Sequence, residues 1–290
     1  MTAFDSVSNL LREAEECGLP LWEYIMSASA AESGIDRQLS FKKMSLRLEA
    51  MRDADASYCP SLRSSSGLSG GDGELMRSYS QSGKSITGEF MGEVISAALR
   101  MGECNACMHR IVAAPTAGSC GVIPATLLPY AKRFGTSDEE LIKALYITAG
   151  FGAVIATRAS ISGAEAGCQA EVGSASAMAA AALVYLHGGS NEQMADAVAI
   201  ALKNMMGLVC DPVAGLVEVP CVKRNAAGAV NALTAAEMAL AGIRSRIPAD
   251  EVIDAMRAVG DSMPASLRET GKGGIAASPT AVAFTEKFYG

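Results

Sequence analysis

The sequence predicts an all-α fold: a single helical domain, residues 1–290, of about ten helices with Gly/Ser-rich loops. Only 5% of the residues are aromatic, whereas alanine, glycine and methionine are abundant, and small side chains favour closely packed helices over sheets. Apolar residues recur at helical spacing, without a fixed-period repeat or an alternation of strand and helix patterns. The domain therefore divides into a helical N-terminal part (1–56), a Ser/Gly-rich segment (57–88) and a helical core (89–290).

The N-terminal part is predicted to hold two or three helices, beginning at residue 5. Gly18 is expected to end the first of them, and the charged run 36–55 has apolar positions at helical spacing. The Ser/Gly-rich segment is expected to be a long loop. Loops of this length inside a compact domain are often functional.

In the helical core, cap and turn residues indicate where the predicted helices begin and end. Thr87 is expected to cap a helix that runs through Met101. The segment PTAGSCGVIPA (115–125) interrupts the pattern, a helix follows to Phe134, and Ser137 begins another that reaches about residue 157. Further helices are predicted at 163–187, at 190–206 with Ser190 as the cap, at 222–243 and at 249–259.

Charge and hydropathy exclude several classes of partner. The chain has 24 basic and 31 acidic residues, and no basic block marks a nucleic-acid surface. The N-terminus has early acidic residues and no long apolar core, which argues against a signal peptide. The longest apolar run (177–186) has ten residues, too few to span a bilayer. We therefore expect a cytoplasmic protein whose eight cysteines serve metal binding, catalysis or packing rather than disulfides.

Two short motifs are weak indications of function. Cys104 and Cys107 form a single CxxC, which is poor support for zinc without a second pair. Gly83-Lys84-Ser85 matches the last three residues of the nucleotide-binding loop motif. Ser78 stands where that motif needs its first glycine, so a nucleotide-binding loop is rejected. Lys84 remains a candidate contact for an anionic substrate, although a solvated surface lysine is the commoner case. The two histidines lack zinc-site spacing, and His187 is expected to act at a helix end.

Three cysteines are better placed for chemistry than the others. Cys210 lies 42 residues after Cys168 and 11 before Cys221, and glycines flank Cys168 and Cys210 closely. Pro212 and Pro220 argue against a helix through the stretch between Cys210 and Cys221, so it is expected to be a loop. Thiolates hold iron–sulfur clusters. On composition alone, however, buried cysteines that only pack remain the commoner interpretation.

Three stretches together resemble a known family, the alpha chain of bacterial iron–sulfur L-serine dehydratases. They are RIVAAPTAGSCGVIPA (110–125), SGAEAGCQAEVGSASAMAA (162–180) and CDPVAGLVEVPCVKRNA (210–226), and the likeness runs over residues 64–274. The resemblance implies a [4Fe-4S] cluster held by Cys168, Cys210 and Cys221, with no pyridoxal phosphate. It also implies that water is eliminated from L-serine to give pyruvate and ammonia.

The resemblance also implies a substrate site. PTAGSCG offers hydroxyls and backbone N–H groups before a helix, a natural cradle for a carboxylate. The expected substrate-binding residues are Ser65, Ser66, Gly67, Thr116, Ala117, Gly118, Ser119 and Asn225, and the expected catalytic residues are Lys84, Thr116 and Ser119. Asn225 is expected either to bind substrate or to cap a helix, and Cys120 is expected to be a neighbour of the cluster rather than a ligand. Glu165 and Glu171 each lie three residues from Cys168, so one helix would place all three near one face, either around the cluster or in a structural salt bridge.

Two departures from the family pattern affect the expected assembly. Single-chain members carry an additional domain with a Ser-Ser-Ser-His-Thr motif, whereas this chain has SSSG at residues 64–67, so a separate beta subunit and a hetero-oligomer are expected. The sequence ends EKFYG without the terminal cysteine of some members, so that form of self-inhibition is not expected. Three alternatives stay open: an L-cysteine desulfidase, a non-catalytic iron–sulfur subunit or redox sensor, and a metal-free helical interaction subunit.

Overall fold

Helices account for the regular structure of residues 4–290, the part of the chain that the computed structural model describes. They are α1 (Val7–Glu16), α2 (Leu21–Glu32), α3 (Arg37–Ala56), α4 (Asp72–Gln81), α5 (Gly88–Ala106), α6 (Val122–Phe134), α7 (Asp138–Arg158), α8 (Gly163–Ala166), α9 (Ser174–Leu186), α10 (Asn191–Met205), α11 (Cys221–Leu240), α12 (Ala249–Ser262) and α13 (Pro279–Tyr289). Within these residues the only extended pairing is an isolated parallel bridge between Cys210 and Arg268. The all-α prediction is confirmed.

Short polar side chains begin several helices as the sequence predicts. The Ser137 and Ser190 hydroxyls accept hydrogen bonds from backbone N–H groups in the first turns of α7 and α10. Gln193 completes a capping box with Ser190. Thr87 does precede the first residue of α5, but its side chain makes no capping hydrogen bond, so that part of the prediction is wrong.

The centre of the molecule is α9. Every residue from Ser174 to Val184 is buried, because α6, α7, α10 and α11 pack around it. A helix that is apolar on all sides belongs in the interior, and its alanines let the neighbouring helices approach closely. One described helix, α7, is long and apolar enough to cross a membrane by length and composition alone. Two thirds (67%) of its 18-residue apolar window is buried inside the molecule, as in a core helix.

The predicted helix 163–187 is broken into three pieces, and that prediction is wrong. α8 ends at Ala166, and the next residue, Gly167, has a φ of 76° and a ψ of −179°, a region that only glycine adopts readily. A single π-helical turn (Gln169–Gly173) then leads into α9. Such turns inside helices are frequent at functional sites. The break presents Cys168 at the start of the π-helical turn.

The Ser/Gly-rich segment contains a helix, α4, where the sequence predicts only a loop. Gly71 precedes α4 and offers no capping side chain. The cap comes instead from α5, where the buried Glu103 carboxylate accepts the N–H groups of Asp72 (2.7 Å) and Gly73 (3.2 Å). A carboxylate at a helix N-terminus satisfies free donors and opposes the helix dipole. α13 is likewise absent from the sequence prediction.

Candidate metal centre

The three predicted cluster ligands are buried at the junction of the π-helical turn, the loop before α11 and α11 itself. Cys168 and Cys210 are each 2% exposed, and Cys221, the first residue of α11, is 7% exposed. The Cys168 and Cys210 sulfurs and a Glu171 carboxylate oxygen all lie within 4.8 Å of one another. Cys221 lies outside that group, but close enough for the charges of Cys168 and Glu171 to raise its pKa.

Burial and mutual contact set the protonation of these groups. The pKa of Cys168 is lowered, first by a hydrogen bond with Cys210 and then by the Arg224 guanidinium. The pKa of Cys210 is raised by the same hydrogen bond and by burial. Burial raises the pKa of Cys221 to about 12 and also raises the pKa of Glu171. These contacts therefore favour the thiolate form of Cys168 relative to an unperturbed cysteine.

Two glycines keep space free beside the thiols. A Cβ on Gly163 would lie 2.5 Å from Glu171 Oε2 and 3.0 Å from Cys210 Sγ. A Cβ on Gly118 would lie 3.3 Å from Glu171 Oε1. Thiolate donors select zinc, copper(I) or iron–sulfur clusters over hard cations. The donor set and the cleared space fit a thiolate-ligated group.

The Glu171 carboxylate connects the thiols to the predicted cradle, residues 115–121. Thr116 Oγ1 donates a hydrogen bond to Glu171 Oε1 at 2.7 Å, and the Thr116 and Ser119 hydroxyls lie 3.2 Å apart. Among the hydrogen bonds of residues 4–290, none uses the N–H of Ala117, Gly118 or Ser119 as a donor. Consecutive free N–H groups form a concave site for an anion. The structure thus brings Thr116 to the Glu171 carboxylate beside the thiols, with Ser119 next to Thr116.

Asn225 has a different environment from the one expected for a substrate contact. Its side-chain oxygen accepts the N–H of Gly121 at 2.8 Å. Its amide nitrogen donates to Gly118 O at 2.8 Å and to Cys221 O at 2.9 Å, and the residue is 1% exposed. These bonds hold the cradle against the first turn of α11. They favour a positioning role for Asn225, and direct substrate contact stays a prediction.

Sequence reasoning missed Glu218, which lies on the loop between Cys210 and Cys221. Its Oε2 accepts hydrogen bonds from the Ser64 hydroxyl at 2.6 Å and the Ser66 hydroxyl at 2.9 Å, and the residue is 6% exposed. Its one sequence signal is a single acidic residue in the otherwise apolar stretch 212–220, between two cysteines. Glu218 therefore ties the SSSG motif to the cysteine-bearing loop.

Other predicted residues lie farther from the thiols or remain at the surface. Ser65 and Gly67 are exposed beside Ser66. Lys84 is exposed on the turn between α4 and α5, and its ammonium takes part in none of the ion pairs of the described chain. The Glu165 carboxylate is exposed and accepts the Ser160 hydroxyl at 2.6 Å. The prediction that one helix places Glu165, Cys168 and Glu171 near the same face is wrong, because the helix ends before Gly167 and the chain turns there.

The remaining motifs do not form a second metal group. Cys104 is buried and donates to Ala54 O at 3.4 Å, and burial raises its pKa to about 11. Cys104, Cys107 and His109 line one small cavity. In the described chain, however, only Cys168, Glu171 and Cys210 bring three donor atoms within 4.8 Å of one another. His187 follows the last residue of α9, and its Nδ1 lies 3.1 Å from the Tyr130 hydroxyl.

Comparison with known proteins gives concordant results. A family model described as "Serine dehydratase alpha chain" matches residues 16–276. The "Probable L-serine dehydratase, alpha chain" of Bacillus subtilis (strain 168) is 48% identical over 287 residues, 99% of this chain and 96% of that protein. The "L-serine dehydratase, alpha chain" of Peptoniphilus asaccharolyticus is 50% identical over 202 residues, 70% and 69% of the two chains. "L-serine dehydratase 1" of Escherichia coli (strain K12) is 46% identical over 181 residues, 62% of this chain and 40% of that protein.

Proposed function

The chain belongs to the serine dehydratase alpha-chain family, and on that premise we propose that it is the cluster- and substrate-binding chain of a cytoplasmic L-serine ammonia-lyase. The reaction converts L-serine into pyruvate and ammonia, with a [4Fe-4S] cluster and without pyridoxal phosphate. The observation that carries the proposal is the meeting of the Cys168 and Cys210 thiols with Glu171, which in turn accepts the Thr116 hydroxyl. A thiolate site thus adjoins an anion cradle.

Cys168, Cys210 and Cys221 would hold the cluster. Bound by three thiolates, such a cluster leaves one iron without a protein ligand and supplies Lewis-acid chemistry at the substrate hydroxyl. This chemistry is needed because hydroxide is a poor leaving group. Glycine at positions 118 and 163 keeps the space beside the ligands open.

The cradle would bind the substrate carboxylate. The free N–H groups of Ala117, Gly118 and Ser119 offer three donors, and the Ser119 hydroxyl lies beside them. Preorganised N–H donors bind an anion without a reorganisation cost at the moment of reaction. Thr116, held by Glu171, borders the same space. A carboxylate bound here places the serine Cβ hydroxyl toward the thiol site.

Removal of the Cα proton completes the elimination. The product enamine, aminoacrylate, tautomerises to an imine that water hydrolyses to pyruvate and ammonia. The chain's own task is to hold the Cα–H and Cβ–O bonds in a fixed orientation, which is a large part of the rate enhancement in such reactions. Glu218 and Asn225 serve this task indirectly, because they fix the SSSG motif and the cradle against the cysteine-bearing elements.

A separate beta subunit would complete the enzyme. Support comes from relatives named alpha chains and from "L-serine dehydratase 1" of E. coli, of which this chain covers only 40%. Lys84, Ser65 and Gly67 are exposed, so a partner chain that covers them would bring them into the enclosed site. Their roles in binding and catalysis are part of this proposal.

The deciding experiment measures iron and acid-labile sulfide in protein purified without oxygen. About four of each per chain are expected for a thiolate-held cluster. Pyruvate formation from L-serine is then assayed with the beta subunit, and L-cysteine as a competitor tests whether sulfide leaves in preference to hydroxide. Metal-free protein that also resists anaerobic reconstitution would contradict the proposal and return the three cysteines to the core.

A further inference from the structure

Arg224, in the first turn of α11, points a buried cationic group at one of the proposed ligands. Its Nη1 lies 3.4 Å from Cys168 Sγ and donates to Val209 O at 2.7 Å. The arginine side chain is only 14% exposed. An arginine this deeply buried is rare unless its charge has a partner.

The orientation of the guanidinium is fixed from its other side. Asp211 Oδ1 lies 2.9 Å from Arg224 Nη2, and the Asp211 side chain is 3% exposed. Asp211 Oδ2 in turn accepts the N–H of Ile275 at 2.8 Å. The planar fork of arginine suits such multiple, directed contacts, whereas a lysine ammonium could not reach all three acceptors together. Arg224 is thus held in a single direction, toward Cys168.

A hydrogen-bond donor at this position changes the properties of any metal cluster that Cys168 binds. Hydrogen bonds to ligand sulfurs and the net charge around a cluster set its reduction potential, and outer groups also set how tightly metal is held. Positive charge and a hydrogen bond both stabilise the more negative, reduced state. Removal of Arg224 should therefore make the potential more negative and weaken cluster retention.

We propose that Arg224 is a positioning residue that donates to the Cys168 sulfur and thereby retains the cluster and raises its reduction potential. The inference rests on the proposed function, because it needs a cluster at Cys168, Cys210 and Cys221. It assigns to Arg224 no contact with substrate. Its effect is accordingly on the properties of the cluster, which can be measured without turnover.

The test compares the anaerobically loaded wild-type chain with Arg224→Gln. Two quantities are measured: the rate of iron loss to a chelator and the midpoint potential of the cluster by spectroscopic redox titration. Iron loss is expected to be faster in the variant, because losing an outer group usually costs about 10–100-fold in metal affinity. Its midpoint potential is expected to be more negative than that of the wild type.

The neighbouring Lys223 supplies the matched control. Lys223 is 75% exposed and pairs with Asp72 at 3.2 Å at the surface, so Lys223→Gln removes the same charge without touching a sulfur. This variant should match the wild type in both measurements. An Arg224→Gln variant that holds its cluster as tightly as the wild type, at the same potential, overturns the inference.

A conservative variant covers the case in which Arg224→Gln does not fold. Arg224→Lys keeps the charge but cannot bond Cys168, Val209 and Asp211 together, so faster iron loss than in the wild type is expected. An unchanged rate in Arg224→Lys would then overturn the inference. Wild-type protein that takes up no cluster contradicts the proposed function instead, so the two failures are distinguishable.

Discussion

The cysteines differ enough in their surroundings for the ligand assignment to be tested residue by residue. Cys168→Ala, Cys210→Ala and Cys221→Ala are each expected to lose most of the bound iron and sulfide, because a thiolate ligand is removed from a buried site. Cys17 is exposed, so Cys17→Ala is the control and should retain a full complement. Iron and sulfide analysis of protein purified without oxygen checks this, and a Cys168→Ala variant with full iron content contradicts the assignment.

Thr116 tests the cradle at the scale of one hydroxyl group. Thr116→Val keeps the shape of the side chain but removes the donor to Glu171. Iron content should stay at the wild-type level. KM for L-serine should rise, because Thr116 no longer holds the cradle in place by its hydrogen bond to Glu171. Thr234→Val, on the exposed side of α11, removes a hydroxyl bonded only to Val230 O and should leave KM unchanged. Equal KM values for the two variants would remove Thr116 from the substrate site.

Glu218 tests the link between the SSSG motif and the cysteine-bearing loop. Glu218→Ala removes the buried carboxylate that accepts both the Ser64 and the Ser66 hydroxyls, and the loss of such an acceptor costs about 1–3 kcal/mol in the free energy of unfolding. Denaturant unfolding of the metal-free chain measures this cost. Glu237→Ala, an exposed position on α11, is the control and should change the stability little. Stability equal to that of the control would show that the Glu218 link is dispensable.

At the scale of elements, the broken helix before α9 can be tested through Gly167. Gly167→Ala places a Cβ 2.7 Å from Leu208 O at a backbone conformation open mainly to glycine. Both effects should lower the free energy of unfolding and disturb the approach of Cys168. Gly188 also has a positive φ, of 78°, but no atom within 4 Å of an added Cβ, so Gly188→Ala isolates the backbone effect. The Gly167 variant is expected to melt at a lower temperature than the Gly188 variant and to bind less iron.

The elements also separate what local sequence can predict from what it cannot. Ser137 and Ser190 predict where α7 and α10 begin, because each residue caps its own helix. The local sequence does not predict α4, because the side chain that caps it, Glu103, belongs to a neighbouring helix about thirty residues away. The break before Cys168 depends on close packing of Gly167 against Leu208 and Met263, which periodicity does not register.

The candidate site shows the same division over longer distances. The motifs around Cys168, Cys210 and Cys221 were enough to propose these three cysteines as the cluster ligands. The contacts of Ser64 with Glu218 and of Arg224 with Cys168, however, join residues 154 and 56 positions apart, and no spacing in one sequence indicates them. The positioning residues therefore became visible only with the fold.

At the scale of the whole molecule, the exposed positions of the proposed substrate residues predict that activity depends on a partner chain. Lys84, Ser65 and Gly67 lie at the surface, whereas Thr116 bonds the Glu171 carboxylate beside the thiols and Ser119 lies next to Thr116. The cluster-loaded chain alone is therefore expected to form little pyruvate from L-serine, and addition of the beta subunit should restore turnover. Because all three proposed cysteine ligands belong to this chain, iron content should be the same with and without the partner. Size-exclusion chromatography and a pyruvate assay on the same samples check both statements; full turnover by the isolated chain would mean that residues 1–290 already enclose the site.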